Sequence, residues 1–147
     1  LQTLTPTQPT YWVIADTGEK TPTREMVAGV RDLYENAPDT YEAIFAEIGQ
    51  IARDARQALT QGDLNQLGPL MNRNQLLLKD LQVSSPRLER LIIAAREAGA
   101  VGAKLSGGGG GGNIIALTTY DKLSYLERYL MDEGAVRVMS TALREVA

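Results

Sequence analysis

Ala103-Lys104-Leu105-Ser106, the six glycines Gly107 to Gly112, and Asn113-Ile114-Ile115-Ala116-Leu117 are two strand-like runs joined by a loop without a single Cβ. Such a backbone bends sharply and leaves its N–H groups unshielded, which is what a phosphate requires. The run is costly: each glycine in an ordered element gives up about 0.5–1 kcal/mol relative to alanine, so an ordered six-residue loop forgoes roughly 3–6 kcal/mol. Composition alone leaves two readings open, an anion-binding loop and a flexible linker.

Outward from that stretch, strands and helices alternate in blocks. Tyr11 to Ala15 is short, β-branched and aromatic, and ends at Asp16-Thr17-Gly18, which predicts a buried strand followed by a turn. Thr21-Pro22 predicts a helix start, with Thr21 as N-cap and the proline at the first helical position. Asp39 to Glu42 matches a capping box and opens the longest helix, whose apolar face is Ile44, Ile48, Ile51, Ala52, Ala55 and Leu59. Gly62 breaks it, and Asp63 caps a third helix with Leu64, Leu67, Met71 and Leu78 inward. Ser85-Pro86 starts a fourth, striped by Leu88, Leu91, Ile92 and Ala95 and closed by Gly99. Beyond the glycine loop and its second strand, Thr118 to Asp121 cap a helix carrying Leu123, Leu126 and Leu130. Gly134 ends it, and Val136, Val138 and Met139 make a last strand. The order is strand, four helices, strand, loop, strand, helix, strand, which predicts an α+β domain with a mostly antiparallel four-stranded sheet and helices on one face.

Bulk properties exclude several chemistries. The net charge of −3 and pI near 5.0 argue against a general polyanion-binding surface. Without cysteine there is neither a disulfide framework nor a thiolate metal site, and without histidine the commonest general base is missing. No apolar run approaches the roughly 18–20 residues that span a bilayer, so a cytoplasmic location is the expectation. The chain begins on Leu1 and a Thr/Pro/Gln-rich stretch, so residues 1–10 are expected to be a linker from a preceding N-terminal domain, with the domain proper at 11–147.

The glycines do not fit the two common nucleotide motifs. A dinucleotide fingerprint needs spaced glycines opening a helix, and a Walker loop needs Gly-Lys-Ser/Thr where Asn113-Ile114 stand. The stretch Gly102-Ala103-Lys104-Leu105-Ser106 with its glycines and Ile114-Ile115-Ala116-Leu117 instead resembles the third motif of the GHMP kinases. Ile14-Ala15-Asp16-Thr17-Gly18 with Pro22-Thr23-Arg24, Gly68-Pro69-Leu70-Met71-Asn72-Arg73-Asn74-Gln75-Leu76-Leu77 and Val83-Ser84-Ser85-Pro86-Arg87-Leu88 resemble the same family in the same order, on its mevalonate kinase branch. Nearly the whole chain is covered.

That resemblance implies the C-terminal, ferredoxin-like half of an ATP-dependent phosphotransferase that uses Mg²⁺, acts on mevalonate and forms a homodimer when intact. Its main ATP loop and catalytic groups lie in the N-terminal half, so no catalytic residue or metal ligand is expected here. Ser106, Gly107, Gly108, Gly109, Gly110, Gly111 and Gly112 are implied at the phosphate end of the cleft, and Thr23 near the phosphoryl acceptor. Related enzymes of the same pathway, a phosphomevalonate kinase or a decarboxylase, and a non-catalytic binding or assembly domain are the alternatives. Three departures stand out: Ser106 for threonine, Gly108 for alanine and Asn113 for cysteine. The unbroken glycine run itself argues for a looser loop than the family's. Three further residues carry simpler expectations: Asp16 as a turn residue, Lys104 pointing to solvent, and Asn72-Arg73-Asn74 as a structural or interfacial cluster.

Overall fold

Alternate residues of three neighbouring strands place small and branched apolar side chains on one face, and this builds the core. In the computed structural model, which describes residues 4–144, Val13 lies opposite Ala116 and Ala116 opposite Ala103, with Ala15, Ile114 and Leu105 in the next row. All six are at most 2% exposed. The strands are β1 (Thr10–Asp16), β2 (Gly102–Ser106), β3 (Asn113–Thr118) and β4 (Arg137–Leu143). They pair antiparallel throughout in the order β2-β3-β1-β4, the expected four-stranded sheet with a ferredoxin-like strand order. The linker expectation for residues 1–10 falls partly on residues 1–3, outside the described residues. Of the remainder, Thr7 donates its N–H to Thr60 O, and Gln8 donates its side-chain amide to Gly62 O.

Five helices complete the order read from the sequence: α1 (Thr23–Asn36), α2 (Pro38–Gln61), α3 (Leu64–Asp80), α4 (Pro86–Glu97) and α5 (Leu123–Asp132). Leu88, Leu91, Ile92 and Ala95 of α4 and Leu126 and Leu130 of α5 close the main core over the sheet. At roughly 1.5–3 kcal/mol for each fully buried leucine or isoleucine, this layer is the principal source of stability. Two caps form as expected, with Asp63 accepting from Gln66 N–H and Ser85 accepting from Leu88 N–H. Two others do not. Ala37, not Asp39, occupies the N-cap of α2, because its own N–H is already closing α1 on Leu33 O and Tyr34 O. The turn between α1 and α2 is one residue long, so Asp39 lies inside the helix and Glu42 accepts from the Tyr34 hydroxyl instead. At α1 the N-cap is Pro22, and the Thr21 hydroxyl is engaged elsewhere.

Helix α3 runs along the open edge of β2. Gly68 and Gly102 let the two backbones touch: a Cβ on Gly68 would lie 2.3 Å from Val101 O, and one on Gly102 would lie 2.5 Å from Gly68 O. Side chains of α3 then satisfy the edge N–H groups that no strand pairs. Asn72 Oδ1 accepts from Ala103 N–H at 3.1 Å and Gln75 Oε1 from Leu105 N–H at 2.8 Å. A covered edge of this kind cannot recruit another strand. Near this edge α2 and α3 also reach the reverse face of the sheet, where Ala58, Leu67 and Met71 meet Trp12, Ile115 and Leu117.

Candidate functional site: the glycine loop

The loop between β2 and β3 holds one defined shape, and its glycines are required by it. Five of the six have φ between 69° and 145°, in or near the left-handed region that other L-residues avoid; Gly108 is the exception. Space is equally restrictive at three positions. A Cβ on Gly109 would lie 2.2 Å from Val83 O, one on Gly110 2.7 Å from Thr21 Cβ, and one on Gly111 2.6 Å from Glu19 Cβ.

Two segments clamp this backbone. From the β1–α1 connection, Thr17 donates both its N–H and its hydroxyl to Gly112 O, at 2.9 and 2.8 Å. Glu19 O accepts from Gly112 N–H at 2.9 Å, and the Thr21 hydroxyl donates to Gly110 O at 2.7 Å. From the α3–α4 connection, Val83 O accepts from Gly110 N–H at 2.7 Å. The two segments are tied to each other by the Ser85 hydroxyl, which donates to the Glu19 carboxylate at 2.6 Å. The expectation of a looser loop is therefore corrected: each tether forms because glycine lets a neighbouring backbone or hydroxyl approach to contact distance.

What the clamps leave free gives the site its chemistry. Among the described residues, the N–H groups of Gly107, Gly108, Gly109 and Gly111 have no hydrogen-bond partner. The loop borders a cleft of about 450 Å³ whose other walls are residues 19–23, Ser106 and Asn113. Thr23, the first residue of α1, is exposed in this cleft and sits over Gly108, whose Cβ would meet Thr23 Oγ1 at 2.9 Å. Sequence-distant Thr23, Ser106 and every glycine of the loop except Gly110 thus line one cleft. Unpaired backbone donors on glycines suit an anion, and exposed Lys20 at the rim adds a cation.

Other residues singled out by sequence lie outside this role. Asp16 Oδ1 accepts from Gly18 N–H at 2.8 Å and so builds the turn, as expected. Lys104 does not point to solvent. Its aliphatic stem lies in an apolar groove lined by Ile48, Ile51, Ala55, Leu70 and Met71, and its ammonium donates to Leu105 O at 2.6 Å. Burial lowers its pKa from the ordinary 10.5. The reason is that α2 and α3 reach the reverse face of β2, which strand alternation alone does not reveal. In the neighbouring cluster, Asn72 caps the β2 edge, while Arg73 makes a two-pronged ion pair with Glu47 of α2 at 2.6 and 2.9 Å.

The family model for the C-terminal region of GHMP kinases matches residues 55–142, more than half the chain and all of β2, the loop and β3. This chain belongs to the GHMP kinase C-terminal family. The mevalonate kinase of Thermococcus onnurineus is 44% identical to this GHMP domain over 110 residues, covering 71% of the chain and 33% of the relative. That of Thermococcus sibiricus is 38% identical over 138 residues, covering 90% and 41%. Among solved structures, L. major mevalonate kinase in complex with R-mevalonate superposes with a TM-score of 0.92 at 31% identity, over 99% of this chain and 46% of that one. The chain thus spans about a third to two-fifths of the curated relatives' length. In this GHMP domain, sequence reasoning missed the loop's anchors: Thr17, Glu19, Thr21, Val83 and Ser85. Their signal was present in the Asp16-Thr17-Gly18 and Val83-Ser84-Ser85-Pro86 motifs, but hydroxyls beside a turn and a helix start read locally as turn and cap.

Proposed function

We propose that this chain is the C-terminal domain of an ATP-dependent mevalonate kinase, in which the γ-phosphoryl of ATP passes to the hydroxyl of mevalonate. The observation that carries the reading is the clamped glycine loop with four unpartnered N–H groups beside a cleft. The two mevalonate kinases that resemble it at 38–44% identity support the acceptor. Ser106 and Gly107 to Gly112 bind the phosphate end of the nucleotide, and Thr23 faces the acceptor. Phosphoryl transfer depends chiefly on positioning and on stabilising charge spread over equatorial oxygens. Backbone donors already held in place do this without reorganising during the reaction. Among the described residues no group of three or more metal-binding side chains converges, so no step is assigned here to Mg²⁺.

On this reading residues 1–10 lead in from an N-terminal kinase domain, which supplies the main ATP loop and the catalytic groups; the intact protein is a cytoplasmic homodimer. The decisive assay measures ADP release with ATP and mevalonate, for the full-length protein and for this chain alone. Turnover by the full-length protein and none by the chain is expected. Robust activity from the chain alone would overturn the assignment of catalytic groups to the preceding half. Turnover with phosphomevalonate but not mevalonate would overturn the acceptor.

A further inference from the structure

Gln75 is a buried polar residue, 4% exposed in the middle of α3, and the reaction outlined above gives it no role. Every polar atom of its side chain is engaged. Its Oε1 accepts from Leu105 N–H at 2.8 Å, and its Nε2 donates to Ser84 Oγ at 3.0 Å and to Glu89 Oε1 at 2.8 Å. The triangle closes with the Ser84 hydroxyl donating to the same Glu89 oxygen at 2.6 Å. The bonds lead to the two flanks of the glycine loop. Leu105 is one residue before Ser106, where β2 runs into the loop. Ser84 follows Val83, whose carbonyl receives Gly110 N–H, and precedes Ser85, which grips Glu19.

The segment from 82 to 85 leaves α3 on Gln82, the single non-glycine residue with positive φ among the described residues, at 58°. That turn is closed locally, by Gln82 N–H on Lys79 O and Val83 N–H on Leu78 O. Beyond it, Ser84 is held by the Gln75 amide and the Glu89 carboxylate.

We propose that Gln75, with Glu89 and Ser84, is a positioning device for the glycine loop. One amide indexes both the end of β2 and the 83–85 segment, so it fixes the separation of the two walls between which the loop is stretched. The proposal concerns a residue that touches no substrate, and its kinetic part rests on the phosphoryl-transfer reading above. Loss of the clamp releases Gly110 from Val83 and lets the free N–H groups wander from the phosphate. Misplacement on the ångström scale costs up to about a hundredfold in rate.

The test uses the full-length protein and two readouts. Hydrogen exchange, followed by mass on the peptide spanning the loop, reads the protected amides of Gly110 and Gly112 without any substrate. Steady-state kinetics with ATP and mevalonate then separates kcat from the two KM values. In Gln75→Glu the new carboxylate faces Glu89, so the Gly110 amide should lose protection. On this geometry kcat falls about tenfold or more while the mevalonate KM stays within about twofold. The exchanged pair Gln75→Glu with Glu89→Gln restores one carboxylate and one amide with donors and acceptors matched. It should recover both readouts to within about threefold of the parent. Ser84→Ala, which removes one hydroxyl from the half-buried segment, gives a milder loss in the same direction and serves if the first variant does not fold. Leu126→Met, a volume-conserving core change on α5, should leave loop exchange unaltered. Parental protection and kcat in both Gln75→Glu and Ser84→Ala would overturn the proposal. So would an exchanged pair no better than the single variant. If the parent protein does not phosphorylate mevalonate, the functional reading fails, and the exchange readout still decides the clamp.

Discussion

Replacing Gly109 by alanine tests the claim that the loop is held rather than slack. The residue has φ of 82°, and its Cβ would lie 2.2 Å from Val83 O and 2.8 Å from Val83 Cβ. The left-handed backbone costs a non-glycine residue about 1–2 kcal/mol. Contact with a carbonyl more than 1 Å inside ordinary van der Waals distance forces the backbone apart, which costs about 1–3 kcal/mol as overpacking. The Gly110 N–H to Val83 O bond beside it stretches, at about 1 kcal/mol. Together these predict a loss of about 3–6 kcal/mol. Its neighbours supply internal controls. Gly107 and Gly112 also have positive φ, 100° and 80°, but nothing lies within 4 Å of their Cβ positions, so alanine there brings strain alone, about 1–2 kcal/mol. Gly108 has no positive φ and would press only on the Thr23 side chain, which can rotate. The change there should stay within about 0.5 kcal/mol of zero, because alanine also restricts the unfolded chain. Urea denaturation of the four variants at constant m-value reads the series directly. A slack connector predicts the opposite pattern, all four stabilised by about 0.4–1 kcal/mol. That result, or a Gly109→Ala loss no larger than that of Gly107→Ala, would refute the reasoning.

Gly68→Ala and Gly102→Ala should each cost about 2–3 kcal/mol in the same measurement, since each Cβ would strike the backbone of the opposing element. Asn72→Ala leaves Ala103 N–H without its acceptor at the β2 edge; a loss of about 1–3 kcal/mol is expected, with more aggregation on light scattering. Lys104→Met should change how stability depends on pH. Burial lowers the Lys104 pKa in the fold below its ordinary 10.5. Between those two values the unfolded chain binds the extra proton, so this lysine makes stability rise with pH there. Denaturation at pH 7 and near pH 10 should show that contribution in the parent and not in the variant.

Much of this fold is legible because local signals and packing agree. β3 spans Asn113–Thr118, one residue beyond the strand-like run that ends at Leu117, and Asp63 and Ser85 cap where their side chains predict. The α4 stripe is buried as its spacing requires. Apart from the Asp39 capping box, displaced by the one-residue turn before α2, the failures share a cause, competition from partners distant in sequence. Thr21 has the residue type of an N-cap, but its hydroxyl is drawn 89 residues away to Gly110 O. Lys104 alternates correctly for an exposed position, yet helices from elsewhere cover it. Gln75 reads as an ordinary polar residue on a helix, and only the approach of α3 to β2 makes its burial necessary. For the candidate site, the resemblance of the motifs pointed to the loop and Thr23, which the fold brings to one cleft. The clamps escaped because a hydroxyl's partner cannot be read from its neighbours.

On the function proposed above, the tethers account for how a loop this rich in glycine would serve an anion. Ordering one residue's backbone costs roughly 1–2 kcal/mol, and glycine loses most. If six glycines were ordered only on meeting a phosphate, that cost would fall on binding, where it would erase most of the gain from a few N–H donors. Here Gly110 and Gly112 are bonded through both their N–H and C=O groups, so the cost is met during folding. The intervening and preceding residues inherit the order while their own N–H groups stay unpaired. On the proposed reading, anchoring falls to 110 and 112 and donation to 107, 108, 109 and 111, so the two roles are separable by mutation. Substitutions at the anchors, such as Thr21→Val or Thr17→Val, should loosen the loop and raise the ATP KM of the full-length protein with little change in global stability beyond the lost bonds, one for Thr21 and two for Thr17, at about 1 kcal/mol each. An ATP KM unchanged in both variants would mean that the order of the loop is not what the nucleotide uses.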